Sequence, residues 1–144
     1  MVLVQKTIRA RIVGANDGKL MLLQTEYANF QRALNGQNAE LYSATRQQAE
    51  RLSRRIGEQN SHGIKKREYP MVLRNDVYDI KKTDNTLSRY WIRIPVHGVR
   101  GGINLPIRPH SEINDNLKIR EAKVFHHRNK WFVAITVQKY VEQR

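Results

Sequence analysis

The chain has 144 residues, and its 26 Lys and Arg against 13 Asp and Glu give a formal net charge of +13 at pH 7. This length is that of one domain, or of one domain with a small insertion, and it can bury about 70% of its unfolded surface without covalent staples. The sequence has no cysteine, which excludes disulfides and thiolate metal sites, and no apolar run approaches the ~20 residues of a membrane-spanning helix.

The charge excess predicts a polyanionic partner, because like charges repel one another in the compact state and a bound anion relieves that repulsion. Nucleic acid is the commonest such partner. The first residues, MVLVQKTIRARIV, alternate apolar with basic side chains and lack the apolar core of a signal peptide. We therefore expect a soluble, cytoplasmic protein that binds nucleic acid. The alternative is a protein that is merely basic, such as a small ribosome-associated one.

Residues 2–13 alternate with a period of two, which predicts a strand. Ile8, Ala10 and Ile12 would face one side of it, and Arg9 and Arg11 the other, because successive side chains of a strand point to opposite faces. If the apolar set is core, the two arginines point outward.

Two helices are predicted after this strand. The first begins at Asp17 as its N-cap and ends at Asn35-Gly36. One face of it is apolar at spacings of three and four. That face consists of Leu20, Leu23, Tyr27, Phe30 and Leu34. The second helix is predicted from about Asn38 to Ile56, with Gly57 as its end. We expect the two to pack as an antiparallel hairpin.

From residue 71 onward the pattern predicts strands without helices between them, at 71–80, 89–96, 102–107, 117–127 and 131–140. GVRGG at 98–102 is predicted as a turn, and HRNK at 127–130 as the turn of a hairpin in which Asn129 is left-handed. Strands at this spacing indicate a barrel or a sandwich. The first strand is expected to join their sheet, since it has no other partner.

The predicted fold class is therefore α+β, mainly β: a small barrel with a helical hairpin inserted after the first strand. Residues 1–16 and 69–144 would form the barrel, and residues 17–68 the helical insertion and linker. The barrel segments carry seventeen basic and seven acidic residues, and the insertion nine and six, so the main contact with a polyanion is expected on the barrel.

The sequence predicts no catalytic residues, no metal site and no cofactor. A two-metal nuclease needs several converging carboxylates, whereas most of the thirteen here fall on predicted helix surfaces or in turns. Asp76 and Asp79 are the one suggestive pair, and their spacing places them on opposite faces of the predicted strand. The adjacent His126 and His127 likewise point to opposite faces, so one metal ion could not easily bind both.

Aromatic and basic residues are interleaved on the predicted strands, a mixture with which barrels that bind oligonucleotides combine stacking surfaces and a cationic rim. The aromatic set is Tyr90, Trp91, Trp131, Phe132 and Tyr140. We expect Trp131 in the core. The predicted nucleic-acid-binding residues are Arg9, Arg11, Arg89, Trp91, Arg93, Arg128 and Lys130. Arginine suits this role because its guanidinium contacts phosphate in a bidentate manner. The alternative for each is an ordinary surface or core residue.

Four segments in this order resemble a known family: QKTIRARI, then ANFQRALN, then YPMVLRNDVYDI with RYWIRIPV, and finally LKIREAKVFHHRNKWFVAITVQK. They are similar to the N-terminal half of the transposon-encoded TnpB (OrfB) proteins and of the related compact type V CRISPR effectors. In that family of RNA-guided DNA endonucleases, a wedge domain built as an oligonucleotide-binding-like barrel is interrupted after its first strand by a helical recognition domain. Together they hold the guide RNA and the start of the guide–target duplex.

The resemblance implies a guide RNA and a DNA target as partners, and no membrane. The family's RuvC nuclease carboxylates and zinc-ribbon cysteines have no counterpart in these residues. The chain would then be a truncated gene product, an excised domain, or one part of a split protein with a separate RuvC-like nuclease subunit. It is not expected to be an enzyme by itself. The alternative function is a stand-alone basic barrel that binds structured RNA, ribosome-associated or of phage origin.

Overall fold

A computed structural model of the protein describes residues 2–59, 68–84 and 87–142. Its elements in chain order are β1 (Val2–Ile12), α1 (Asp17–Leu34), α2 (Ser43–Gln59), β2 (Met71–Leu73), β3 (Asp79–Lys82), β4 (Tyr90–Val96), β5 (Val99–Pro109), β6 (Lys118–His127) and β7 (Lys130–Val141). The strands form one antiparallel sheet in the order β2-β6-β7-β1-β5-β4-β3, curled into a half-barrel. The predicted fold class, a small and mainly β barrel with a helical insertion, is confirmed.

The first strand occupies the middle of this sheet. It pairs with β7 from Val2 opposite Val141 to Arg11 opposite Phe132. The end of β1 also pairs with β5, where Ile12 lies opposite Ile107. β1 therefore joins the β2-β6-β7 half of the sheet to the β5-β4-β3 half, as the need for a partner strand predicted.

One face of the sheet and one face of α1 share a single hydrophobic core. The fully buried side chains of the core include Ile8, Leu23, Phe30, Leu34, Met71, Leu73, Ile92, Ile94, Leu105, Ile107, Val124 and Ile135. The four apolar positions of α1 that lie in this core follow the spacing read from the sequence. Neither helix of the described residues is long and apolar enough to cross a membrane.

The N-cap of α1 and the start of α2 differ from those predicted. The N-cap of α1 is Asn16, whose side-chain oxygen accepts a hydrogen bond from the Lys19 N–H at 2.9 Å. Asp17 is instead the first helical residue, where a carboxylate favours the positive end of the helix dipole. The second helix begins at Ser43, later than predicted, and buried Leu41 lies just before it. It then continues through Gly57 to Gln59.

The strand predicted at 71–80 was wrong, since this segment forms two short strands at opposite edges of the sheet. Asn75 and Asp76 are turn-forming residues, and they redirect the chain between β2 and β3. The Val77 N–H closes the turn on the Arg74 carbonyl at 3.2 Å. The turn predicted at GVRGG is shorter than expected, because only His97-Gly98 turns and the next residues already belong to β5.

A buried carboxylate links the helical insertion to the sheet. Glu26 on α1 is only 2% exposed. One of its oxygens accepts the Tyr42 N–H just before α2, and the other accepts the His97 N–H in the β4–β5 turn, both at 3.0 Å. A single side chain therefore holds three separate segments together.

Replacing Glu26 with Gln should lower the free energy of unfolding by about 1–3 kcal/mol, because the new amide group would face one of the two backbone donors and leave it unpaired. Urea denaturation measures the change. Glu50→Gln on the exposed surface of α2 is the matched control and should change stability little. Equal effects of the two substitutions would contradict the role assigned to Glu26.

Two neighbouring glycines in β5 have the same unusual backbone conformation but differ in how closely other atoms approach them. Gly101 and Gly102 have φ of 81° and 74°, a region in which side chains with a Cβ are strained. A Cβ added to Gly101 meets no atom within 4 Å, whereas one added to Gly102 would press on the Ile94 carbonyl group and lie 3.2 Å from the Pro95 Cα. Gly102→Ala should therefore destabilise the fold clearly more than the ~1–2 kcal/mol expected for Gly101→Ala. Similar melting temperatures for the two variants would contradict this close approach.

Candidate nucleic-acid interface

The face of the sheet opposite the core is basic. On β1, Arg9 and Arg11 are exposed while Ile8 and Ala10 are fully buried, as the alternation predicts. Their guanidinium groups therefore lie on the outward face, near the centre of the sheet.

The strand register brings two further basic residues onto this face. Lys123 on β6 lies opposite Ala134 on β7, which lies opposite Arg9 on β1. On the other side, Arg11 lies opposite Arg108 on β5. Neighbouring strands are ~4.8 Å apart, so these residues span roughly 14 Å across four strands. We call Arg9, Arg11, Arg108 and Lys123 the outward basic strip; all four are exposed.

Within the described residues, the outward basic strip forms no ion pair. In the described parts of the chain, the ion pairs closer than 4.0 Å involve other residues. Four cations at these separations that form no ion pair repel one another, and an anion bound across them would remove that cost.

Two aromatic rings lie beside the strip on the same face. Phe125 and Phe132 are cross-strand partners, and their rings stack with centroids 5.4 Å apart at an interplanar angle of 17°. Both side chains are half-buried. The Arg9 guanidinium carbon lies 5.4 Å from the Phe125 centroid and 5.9 Å from that of Phe132, within range of a cation–π contact.

A shallow groove of about 350 Å³ adjoins these rings. It lies where β6 runs beyond β2, since the pairing of the two strands ends at Val124. The groove is lined by Arg9, Tyr27, Glu68, Pro70, Phe125, His126, His127 and Phe132. The Tyr27 hydroxyl donates to a Glu68 carboxylate oxygen at 3.2 Å. Burial, helped by the negative charge of Glu68, raises the pKa of Tyr27 to about 12.

A second groove lies between α2 and the sheet. Arg51 and Arg55, one helical turn apart, line it together with Val72, Glu121 and Lys123. Its volume is about 260 Å³. Helix α2 therefore extends the basic surface past the edge of the sheet, from Lys123 of the outward basic strip.

The other predicted site residues fall into two places. Arg128 forms the tip of the β6–β7 hairpin with φ of 50°, next to Asn129, whose φ of 63° confirms the left-handed turn. Lys130 follows it, and both basic side chains are exposed. The groove beside Phe125 includes His127, the cross-strand partner of Lys130.

Arg89, Trp91 and Arg93 lie in the other half of the sheet, and each has a partner within the protein. Arg89 pairs with Glu112 at 3.5 Å and Arg93 with Asp79 at 3.6 Å. The Trp91 indole N–H donates to the Ser88 carbonyl at 3.1 Å, and the ring is half-buried. These three residues are not brought together with Arg9 and Arg11, although Arg89 lines a pocket together with Arg108 of the outward basic strip.

Three residues of this surface were missed from the sequence: Arg108, Lys123 and Phe125. Phe132 was named in the aromatic set but not among the predicted binding residues. The alternation within residues 117–127 places Lys123 and Phe125 on one face and could have indicated both. Arg108 gave no such signal, because its strand was predicted to end at residue 107 and its position beside Arg11 depends on long-range pairing. Trp131, expected in the core, is half-buried on the core face, and its ring meets that of Tyr27 edge-on at 5.0 Å.

The carboxylates and histidines of the described residues do not form a metal site; no group of three or more such side chains comes close enough together. Asp76 pairs with Arg74 at 3.1 Å, away from Asp79 and its partner Arg93. The His126 ring packs against Trp131 with centroids 4.7 Å apart.

Fold and surface together define a basic half-barrel with an extended cationic and aromatic face. Neither the protein-family models nor the curated proteins contain a match to this chain. The resemblance to TnpB-type proteins therefore stays a prediction that rests on the quoted sequence segments.

Two buried tyrosines make the fold sensitive to alkali. Burial raises the pKa of Tyr78 as well as that of Tyr27, and the Tyr78 hydroxyl donates to the Arg120 carbonyl. The pKa of each tyrosine is higher in the folded state than the ~10 of the unfolded state. The stabilisation of the fold by the two neutral hydroxyl groups is therefore fully present below about pH 10. It is lost as the pH rises through the folded-state values.

The free energy of unfolding should therefore fall between about pH 10 and 12, and Tyr27→Phe should make that fall shallower. Urea denaturation at a series of pH values measures it. Tyr140→Phe is the control, because that side chain is 68% exposed. If the free energy of unfolding of Tyr27→Phe fell with pH as steeply as that of the parent and of Tyr140→Phe, the effect assigned to Tyr27 would be wrong.

Proposed function

We propose that this protein binds nucleic acid on the outward face of its sheet, with the phosphate backbone across Arg9, Arg11, Arg108 and Lys123. The observation that carries the proposal is that these four exposed cations, from β6, β1 and β5, form no ion pair within the described residues. Arginine and lysine neutralise phosphates, and the release of condensed counterions then supplies much of the affinity.

The distribution of charge supports this surface over others. Arg89 and Arg93 have carboxylates beside them. A phosphate would compete with those carboxylates, whereas the described residues place no carboxylate within 4.0 Å of a cation of the outward basic strip. Arg51 and Arg55 on α2 offer further contacts at its Lys123 end, so a bound strand can continue from the sheet onto the helical insertion.

The narrower form of the proposal is that the ligand is a guide RNA, together with its DNA target, as the resemblance to TnpB-type proteins implies. In such recognition the protein binds the backbone and shape, while base pairing reads the sequence. The cutting of DNA would then be the task of a RuvC-like nuclease outside these residues. The chain by itself is proposed as a binding module and not as an enzyme.

The alternative function, a stand-alone protein that binds structured RNA, involves the same surface. The two functions differ only in the RNA that is bound. Sequencing of the RNA that copurifies with the chain decides between them. One dominant structured species supports the guide-RNA role. Bulk ribosomal RNA supports the stand-alone role.

The double change Arg9→Ala with Arg11→Ala should weaken RNA binding at fixed salt at least tenfold, since each charged hydrogen bond contributes about 1.5–3 kcal/mol. The slope of log affinity against log salt should also become shallower by roughly 1.4–1.8, the contribution of two phosphates. Filter binding at several salt concentrations measures both quantities, and thermal unfolding should be unchanged.

The matched control is Arg89→Ala with Arg93→Ala, which removes the same charge from residues that already have acidic partners. Its effect on affinity and on the salt slope should be smaller. Affinity that is unchanged in the Arg9 and Arg11 variant, or lost only through unfolding, would remove these two residues from the site. Equal losses in the two double variants would show that net charge, and not the strip, governs binding.

A further inference from the structure

We infer that the groove beside Phe125 and Phe132 binds an unpaired nucleobase, so that the nucleic acid on the outward face is single-stranded at this point. The inference rests on the proposed function and makes it more specific. It depends on the stacked rings of Phe125 and Phe132, which have no part in the proposed phosphate contacts.

The two rings are placed as a stacking platform. They lie on the outward side of the sheet with the outward basic strip, and not in the core, although phenylalanine is among the residues most often buried. An aromatic ring on a basic sheet offers its π face to a base of any identity. The volume of the groove, about 350 Å³, lies within the range of sites that bind small organic groups, roughly 300–1,000 Å³.

The bases of a regular duplex cannot use this platform. They stack on one another and present only their edges in the grooves, whereas bases of loops, bulges and single strands can turn outward and stack on aromatic side chains. Arg9 lies over both rings at one side of the groove, where it can contact the phosphate of the nucleotide whose base is stacked.

The charges in the groove orient the nucleotide. Glu68 lies in the groove and would repel a phosphate, while Arg9 attracts one, so the phosphate lies toward Arg9 and the base toward Glu68. The Tyr27 hydroxyl donates to Oε2 of Glu68. The remaining oxygen, Oε1, is an acceptor for the exocyclic amino group of adenine, cytosine or guanine, which uracil lacks.

The test compares three RNA probes at one salt concentration: a short single strand, the same strand with one abasic position, and its duplex with the complementary strand. A 2-aminopurine base in the single strand reports stacking through quenching of its fluorescence. We expect the single strand to bind more tightly than the duplex, and the bound 2-aminopurine to be quenched.

Phe132→Leu and Phe125→Leu should each weaken binding of the single strand about 5- to 150-fold, the range expected for one stacked base, without changing the salt slope. Binding of the duplex should be unaffected. Phe132→Tyr keeps the ring and should retain the affinity, which separates stacking from damage to the fold. Tyr140→Leu, at an exposed aromatic position elsewhere on β7, should bind as the parent does.

Equal affinity of the parent for single strand and duplex, or a 2-aminopurine signal that does not change on binding, would overturn the inference. So would Leu variants that fold and bind the single strand as the parent does. If the Arg9 and Arg11 double variant still lost affinity in that case, the proposed function would stand without the base-binding groove. If no probe bound the parent protein, both proposals would fail.

Discussion

The pairing of β1 with strands from both halves of the sheet is the constraint on which the rest of this structure depends. Residues of β1, at the start of the chain, pair with β7, near the end of the chain, and with β5. The seven-stranded sheet therefore cannot form until β7 is present. Without β1, β2-β6-β7 and β5-β4-β3 would be two separate ribbons, each with an exposed edge and half a core. The same strand carries Arg9 and Arg11 at the centre of the outward face. Folding and the candidate site therefore depend on one element.

The two faces of the sheet have opposite effects on the stability of the fold. The inner face buries aliphatic side chains, which supplies most of the favourable free energy of folding. The outer face carries the outward basic strip, whose cations form no ion pair within the described residues. This arrangement costs stability through repulsion, and it is what a surface that binds phosphates requires. In the other half of the molecule, Arg89 and Arg93 instead have Glu112 and Asp79 as ion-pair partners.

The helical insertion is bound to the sheet and also extends its basic surface. The carboxylate of Glu26 holds the start of α2 and the β4–β5 turn by two backbone hydrogen bonds, which fixes α2 beside the edge strand β2. From that position Arg51 and Arg55 face a groove shared with Lys123. A buried carboxyl group is tolerated here because both of its oxygens accept hydrogen bonds. The two hydrogen bonds of Glu26 thus contribute both to the packing of the insertion and to the extent of the basic surface.

The sequence by itself determined the elements that local periodicity encodes: β1, the apolar face of α1, the β6–β7 hairpin with left-handed Asn129, and the outward direction of Arg9 and Arg11. These features need only the alternation of side chains along one segment. Helix ends were less well predicted, since the start of α2 depends on the distant Glu26. Only the tertiary structure decided which residues join the arginines. Arg108, Lys123, Phe125 and Phe132 come together through the register of four strands far apart in the chain, and register depends on packing between strands that no single segment encodes.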